Sequence, residues 1–219
     1  MKSALLTPEE FDAHLADGTL RLSFVGMSNS GKSYRSRTLA RENDFLWYQV
    51  DEEIAKALGL NDADELSDWL GSPVSPGFGE REQKYLELES HFTGQAAMSA
   101  HGKNLVFDTT GSVVHLPPRT LDTLDENALV VHLDVGDDSL DQMLARFFAN
   151  PKPVAWGPFF SREADEPLEN ALRRSYPNLL RERLSRYRAL AHLNLPASDF
   201  RDVSGEETLA RIRAALARG

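Results

Sequence analysis

The chain contains no cysteine. That excludes disulfides, thiolate nucleophiles and cysteine-based metal sites. Long hydrophobic runs are also missing. No stretch approaches the ~18 apolar residues that a membrane span needs, and the apolar start over residues 1–6 is too short for a secretory signal. A soluble cytoplasmic protein without a membrane partner is the expectation. Positive charge is in deficit, with 24 Lys and Arg against 34 Asp and Glu and a net charge of −10. Non-specific nucleic-acid binding requires a basic face, so no nucleic-acid partner is expected. Any polyanionic ligand must be drawn in by a few local groups. With 219 residues the chain can bury one full α/β core, and no shift of composition marks a second domain.

What is present is concentrated in residues 20–40. A short apolar, β-prone run over 20–25 feeds Gly26, four residues, then Gly31-Lys32-Ser33, the G-x-x-x-x-G-K-[ST] phosphate-binding pattern. The glycines allow consecutive backbone N–H groups to turn inward around a polyphosphate, where a side chain would block the approach. Lys32 can then reach the β- and γ-phosphates, the Ser33 hydroxyl can ligate Mg²⁺, and the following helix adds the positive end of its dipole. ATP and Mg²⁺ are therefore the expected cofactors. Gly26, Ser28, Asn29, Ser30, Gly31, Lys32, Ser33 and Tyr34 form the nucleotide-contacting set.

Thr7-Pro8-Glu9-Glu10 carries a capping residue, a proline at the first helical position and a glutamate three after the cap. A short helix through Leu15, stopped at Asp17-Gly18, follows, so residues 1–19 form an N-terminal helical extension. Residues 44–50 are aromatic and β-branched and predict a second strand ending at Asp51. Asp51 is either a ligand-facing acid at the strand end or a helix cap. Residues 61–77 are polar and then loop-like, and a helix is predicted over 79–91. On it Lys84 and Glu87 share a face, as a surface pair or as a substrate clamp. The run 103–108 predicts a third strand ended by Asp108. In P-loop proteins such an acid typically holds Mg²⁺, directly or through water; the alternative is a turn-forming aspartate.

Residues 128–134 read as a fully buried parallel strand with His132 as a core residue. An amphipathic helix over 139–148 leads to a proline- and aromatic-rich segment, a candidate mobile lid over residues 150–165. An arginine-rich helix over 167–190, a last strand near 199–203 and a helix over 205–216 complete the pattern.

These motifs together resemble the shikimate kinase family of P-loop small-molecule kinases, from about residue 20 to the end. The full P-loop carries the resemblance, with Gln49-Val50-Asp51-Glu52-Glu53-Ile54 on the family's D-x-D-x-x-I segment and residues 79–87 on G-E-x-x-F-R-x-x-E. Asp108-Thr109-Thr110-Gly111-Ser112 lies where the family has its triple-glycine turn. Arg183 with Tyr187 and Ala191 matches R-x-x-x-Y-x-x-x-A. The resemblance implies a three-layer fold with a parallel sheet of about five strands, helices on both faces and a lid. It further implies transfer of the ATP γ-phosphate to a hydroxyl of a small anionic metabolite.

In that reading Lys32, Asp51 and Arg183 are catalytic, and Asp51 engages the acceptor hydroxyl. Lys84, Gly111 and Arg183 bind the rest of the acceptor. Ser33 and Asp108 hold the metal, and Arg146 or Lys152 approaches the phosphates. The departures are specific: Gln49 stands for the family's first acid, Lys84 for its carboxylate-binding arginine, and Thr110-Gly111-Ser112 for its three glycines. They leave open a nucleoside, nucleotide or sugar-acid acceptor, or a non-catalytic ATP-binding module.

Overall fold

The computed structural model describes residues 6–99, 102–149 and 154–218. Five strands build its sheet: β1 (Arg21–Val25), β2 (Leu46–Gln49), β3 (Leu105–Asp108), β4 (Leu129–Asp134) and β5 (Leu193–Pro196). All pair in parallel, in the order β2-β3-β1-β4-β5. Parallel strands need crossovers, and helices supply them, covering both faces.

Side-chain alternation divides the strands between two cores. Leu22, Phe24, Val106, Leu129, Val131 and Leu133 face one layer. That layer holds α1 (Pro8–Ala16), α2 (Lys32–Asn43) and α9 (Gly205–Leu216). Leu105, Phe107 and Val130 face the other, which holds α3 (Val50–Ala57), α5 (Phe78–Met98), α6 (Pro118–Asn127) and α8 (Leu168–Leu190). The expected three-layer α/β architecture with five parallel strands is what the chain forms.

Local chemistry accounts for the element ends. α1 begins with a complete capping box, in which Thr7 Oγ1 accepts from the Glu10 N–H and Glu10 accepts from the Thr7 N–H. Ser204 and Glu207 repeat it at α9. Arg35 on α2 is buried and donates to Val203 O at 2.6 Å and Thr208 Oγ1 at 3.2 Å, which ties the P-loop helix to α9.

Four expectations need correction. The second strand ends at Gln49, and Asp51 lies in the first turn of α3. The polar stretch after residue 61 contains a helix, α4 (Ala63–Leu70), whose cap Asp62 accepts from the Glu65 N–H; its buried face is only Leu66 and Leu70. The helix foreseen over 79–91 continues to Met98. The last strand is β5 rather than residues 199–203, because Leu193 and Leu195 supply the inward alternation while Ala197–Phe200 form a 3₁₀ turn. Among the described residues no helix is long and apolar enough to cross a membrane.

Candidate active site

The carboxyl ends of the parallel strands converge on one edge, the position where such sheets bind ligands. β1 delivers Gly26, whose φ of +143° suits glycine, and a Cβ there would lie 2.9 Å from Leu133 O. The loop then turns through Asn29 at φ +64° to Gly31 at φ +98°, which caps α2. Nothing lies within 4 Å of the Cβ position at Gly31. An anion can therefore approach the α2 N-terminus closely.

Lys32 Nζ arches back over the loop and donates to Gly26 O at 2.9 Å and Met27 O at 3.0 Å. Burial lowers its ammonium to about 8, against the opposing pull of Asp108 and Asp51. Phosphate charge at that point would restore full protonation.

Asp108 ends β3, and strand register sets it beside Phe24 of β1 and Gln49 of β2. Its Oδ2 accepts from Ser33 Oγ at 2.5 Å, and its Oδ1 from the Trp47 indole N–H at 2.5 Å. A hydroxyl and a carboxylate in contact are hard oxygen donors of the kind Mg²⁺ prefers. Among the described residues no group of three or more potential metal-ligating side chains occurs. A divalent cation here would complete its octahedron with phosphate and water oxygens, as Mg²⁺ commonly does.

A cleft of about 1340 Å³ opens beside the loop. Ser28, Asn29, Ser30, Gly31 and Tyr34 line its phosphate side, and Arg146 from α7 (Leu140–Ala149) reaches its rim. Asp51, Tyr85, Thr110, Gly111, Ser112 and Arg183 line the other side. There the Tyr85 hydroxyl donates to Asp51 Oδ1 at 3.1 Å. Burial raises Asp51 above the usual carboxylate range.

Behind this wall lies Glu89, fully buried on α5. Its two oxygens accept from the Thr110 hydroxyl and, at 2.6 Å, from the Ser112 hydroxyl. Burial pushes its carboxyl up to about 7. Arg183, 5 % exposed, donates to Ala155 O at 2.6 Å and to His115 Nε2 at 3.3 Å, with Nη1 toward Gly111. Burial, and next the Arg183 charge, lower His115 to about 4, so its ring is neutral and can accept that bond.

The structure thus lines one cleft with Asp51, Gly111 and Arg183, and sets Lys32, Ser33 and Asp108 at the phosphate loop beside it. It does not bring in Lys84, which is exposed and absent from the lining. Tyr85, one residue on, takes the inward direction. Lys152 lies outside the described residues. The aromatic segment read as a candidate lid is partly buried: Trp156 packs against Phe147, Phe160 and Tyr176. Glu82 accepts the backbone N–H groups of Trp156 and Gly157.

Sequence reading missed Glu82, Tyr85 and Glu89 as site residues. Their spacing of three and four puts them on one helix face, a signal that was available.

No protein-family model matches the chain, and no curated protein matches it in sequence. Solved structures do match. A shikimate kinase from Acinetobacter baumannii in complex with shikimate aligns with TM-score 0.62 at 18% identity, over 95% of this chain and 97% of that one. Shikimate kinase from Bacteroides thetaiotaomicron gives 0.60 at 18% identity, over 90% and 98%. The Aquifex aeolicus enzyme gives 0.51 at 17%, over 91% and 97%. Motifs and architecture agree: this chain has the P-loop kinase fold found in shikimate kinases.

Proposed function

We propose that the protein is a Mg-ATP-dependent phosphotransferase acting on a hydroxyl of a small metabolite. The observation that carries this reading is the facing of two groups across one cleft. A phosphate loop with Lys32 and a Ser33–Asp108 oxygen pair lies on one side, and the half-buried carboxylate Asp51 on the other. Ser33 and Asp108, the latter directly or through water, would hold Mg²⁺, which when bound would supply charge neutralisation at the phosphates.

The chain's own residues do the rest. The loop amides and Lys32 bind the β- and γ-phosphates. Asp51, oriented by Tyr85, accepts a hydrogen bond from the acceptor hydroxyl and takes its proton as the oxygen attacks; its raised proton affinity suits that task. Arg183 contributes positive charge beside the transferred group, where the transition state carries negative charge. Arg146, which lines the cleft, contributes positive charge on the phosphate side.

The test is coupled ADP release with Mg-ATP across a panel of hydroxylated metabolites, shikimate included. Acceptor-dependent turnover is expected, abolished in Lys32→Ala and lowered about a hundredfold or more in Asp51→Asn. Full activity of Asp51→Asn would remove Asp51 from that role. Tight ATP binding without turnover on any acceptor would instead favour a nucleotide-gated regulatory module.

A further inference from the structure

The acceptor side of the cleft has an unusual hydrogen-bond polarity. Thr110 and Ser112 occupy the turn that follows β3, and both hydroxyls donate to Glu89 behind the wall. A hydroxyl has one proton and two lone pairs. With Glu89 ionised, both hydroxyls direct their protons to it and turn lone pairs to the cleft; Thr110 Oγ1 already accepts the Ser112 N–H at 3.1 Å, so Ser112 is the freer acceptor of the two. Tyr85 directs its proton to Asp51, so its oxygen is likewise an acceptor. Asp51 is an acceptor by nature, and Asp64, from the first turn of α4, adds a second carboxylate to the lining.

Positive charge on this side is limited. Arg183 has two of its donor positions engaged, by Ala155 O and by His115 Nε2. Lys84 is exposed and absent from the lining. An anionic group on the acceptor would therefore face Asp51 and Asp64, against one partly occupied guanidinium. Like charges so placed disfavour an anionic partner.

We infer that the acceptor is a polyhydroxylated ring, uncharged or amine-bearing, whose donors are read by Asp51, Tyr85, Thr110 and Ser112, and that Glu89 is the positioning residue that orients this wall. The inference rests on the kinase reading for where the ring binds, and it replaces the anionic acceptor that the sequence resemblance implies. Glu89 does not touch the ring. It acts by holding two hydroxyl protons away from the cleft, and with Gln in its place only the amide oxygen can accept, while the N–H₂ donates to the other hydroxyl.

The experiment uses the intact protein with rings matched except for charge: glucose, glucosamine and glucuronate, then myo-inositol, adenosine, shikimate and the primary amide of shikimate. Binding is measured by calorimetry in the presence of a non-hydrolysable ATP analogue, and kcat/KM by ADP release.

Uncharged or amine-bearing members should exceed their carboxylated counterparts by about tenfold or more in both readouts. Glu89→Gln, and independently Thr110→Val with Ser112→Ala, should narrow that ratio by about threefold or more through KM rather than kcat. A preference for the carboxylated rings, equal use of both, or no binding by any uncharged or amine-bearing member would overturn the inference. The two readings separate cleanly. Turnover with carboxylate preference defeats this inference and leaves the kinase, whereas selective binding of uncharged rings without turnover defeats the kinase and leaves the acceptor site.

Discussion

Glu89 is a carboxylic acid with no exposed surface, held by two hydroxyls rather than by a cation. Its charged form is disfavoured by burial, so the native state keeps its proton up to about pH 7, whereas the unfolded chain releases it near the ordinary value of 4.5. Between those values the folded state binds more protons than the unfolded one. Stability therefore falls as pH rises through that window, by up to ~1.4 kcal/mol per pH unit, and levels off above it. Glu89→Gln lacks this slope. In urea-unfolding series at pH 5, 6 and 7, the variant should gain on the parent at each step; parallel pH profiles would mean that Glu89 titrates normally.

At this scale the sequence was legible wherever a residue's chemistry is tied to a fixed motif, as with Lys32 and Ser33. It was illegible for Glu89, because a glutamate on a long helix reads as solvated until the packing partner of that face is known. Lys84 misled for the same reason. It aligns with a binding arginine, yet the helix turns it to solvent.

Helices and strands were read more easily than their ends. α1 follows from its capping box, and β1, β3 and β4 from apolar runs too continuous for a half-exposed sheet. α4 escaped because it is only eight residues long and lies between polar and loop-like stretches, although Asp62 and Glu65 form a recognisable cap. β5 escaped because it alternates over only four residues before a 3₁₀ turn competes for the same chain.

The segment over 154–160 is the least legible element, since its order comes from outside itself. Trp156 is gripped by aromatics of α7 and α8, Ala155 O by Arg183, and two backbone N–H groups by Glu82. Removing the carboxylate in Glu82→Ala leaves those N–H groups without their partner. Hydrogen exchange over 154–160 should then accelerate about tenfold or more, with β1 and β3 unaffected, because one lost buried bond is worth roughly 1–3 kcal/mol. Unchanged exchange would show that the aromatic packing alone holds the segment.

The whole molecule carries a net charge of −10, and on the proposed reading its cleft admits a polyanion. The phosphate loop would do this locally, with Lys32 and the N-terminus of α2. Because the loop joins β1, at the centre of the sheet, to α2, which Arg35 anchors to α9, a ligand bound there should stabilise both layers at once. At a hundred times its dissociation constant, Mg-ATP adds about 2.7 kcal/mol. That corresponds to a rise in Tm of roughly 5–10 °C for a chain of this size. Differential scanning calorimetry should register it for the parent and lose most of it in Lys32→Ala; an equal shift in both would put the nucleotide elsewhere.

The contact between Trp47 and Asp108 has an optical consequence. The protein has three tryptophans, and only the indole of Trp47 donates to the acid that faces Ser33. A cation arriving at Asp108 draws electron density from the oxygen on which that indole rests, and so changes the polarity its excited state senses. With Trp69 and Trp156 replaced by phenylalanine, the emission colour of Trp47 becomes a label-free gauge of metal arrival, built into the protein by the register of β2 on β3.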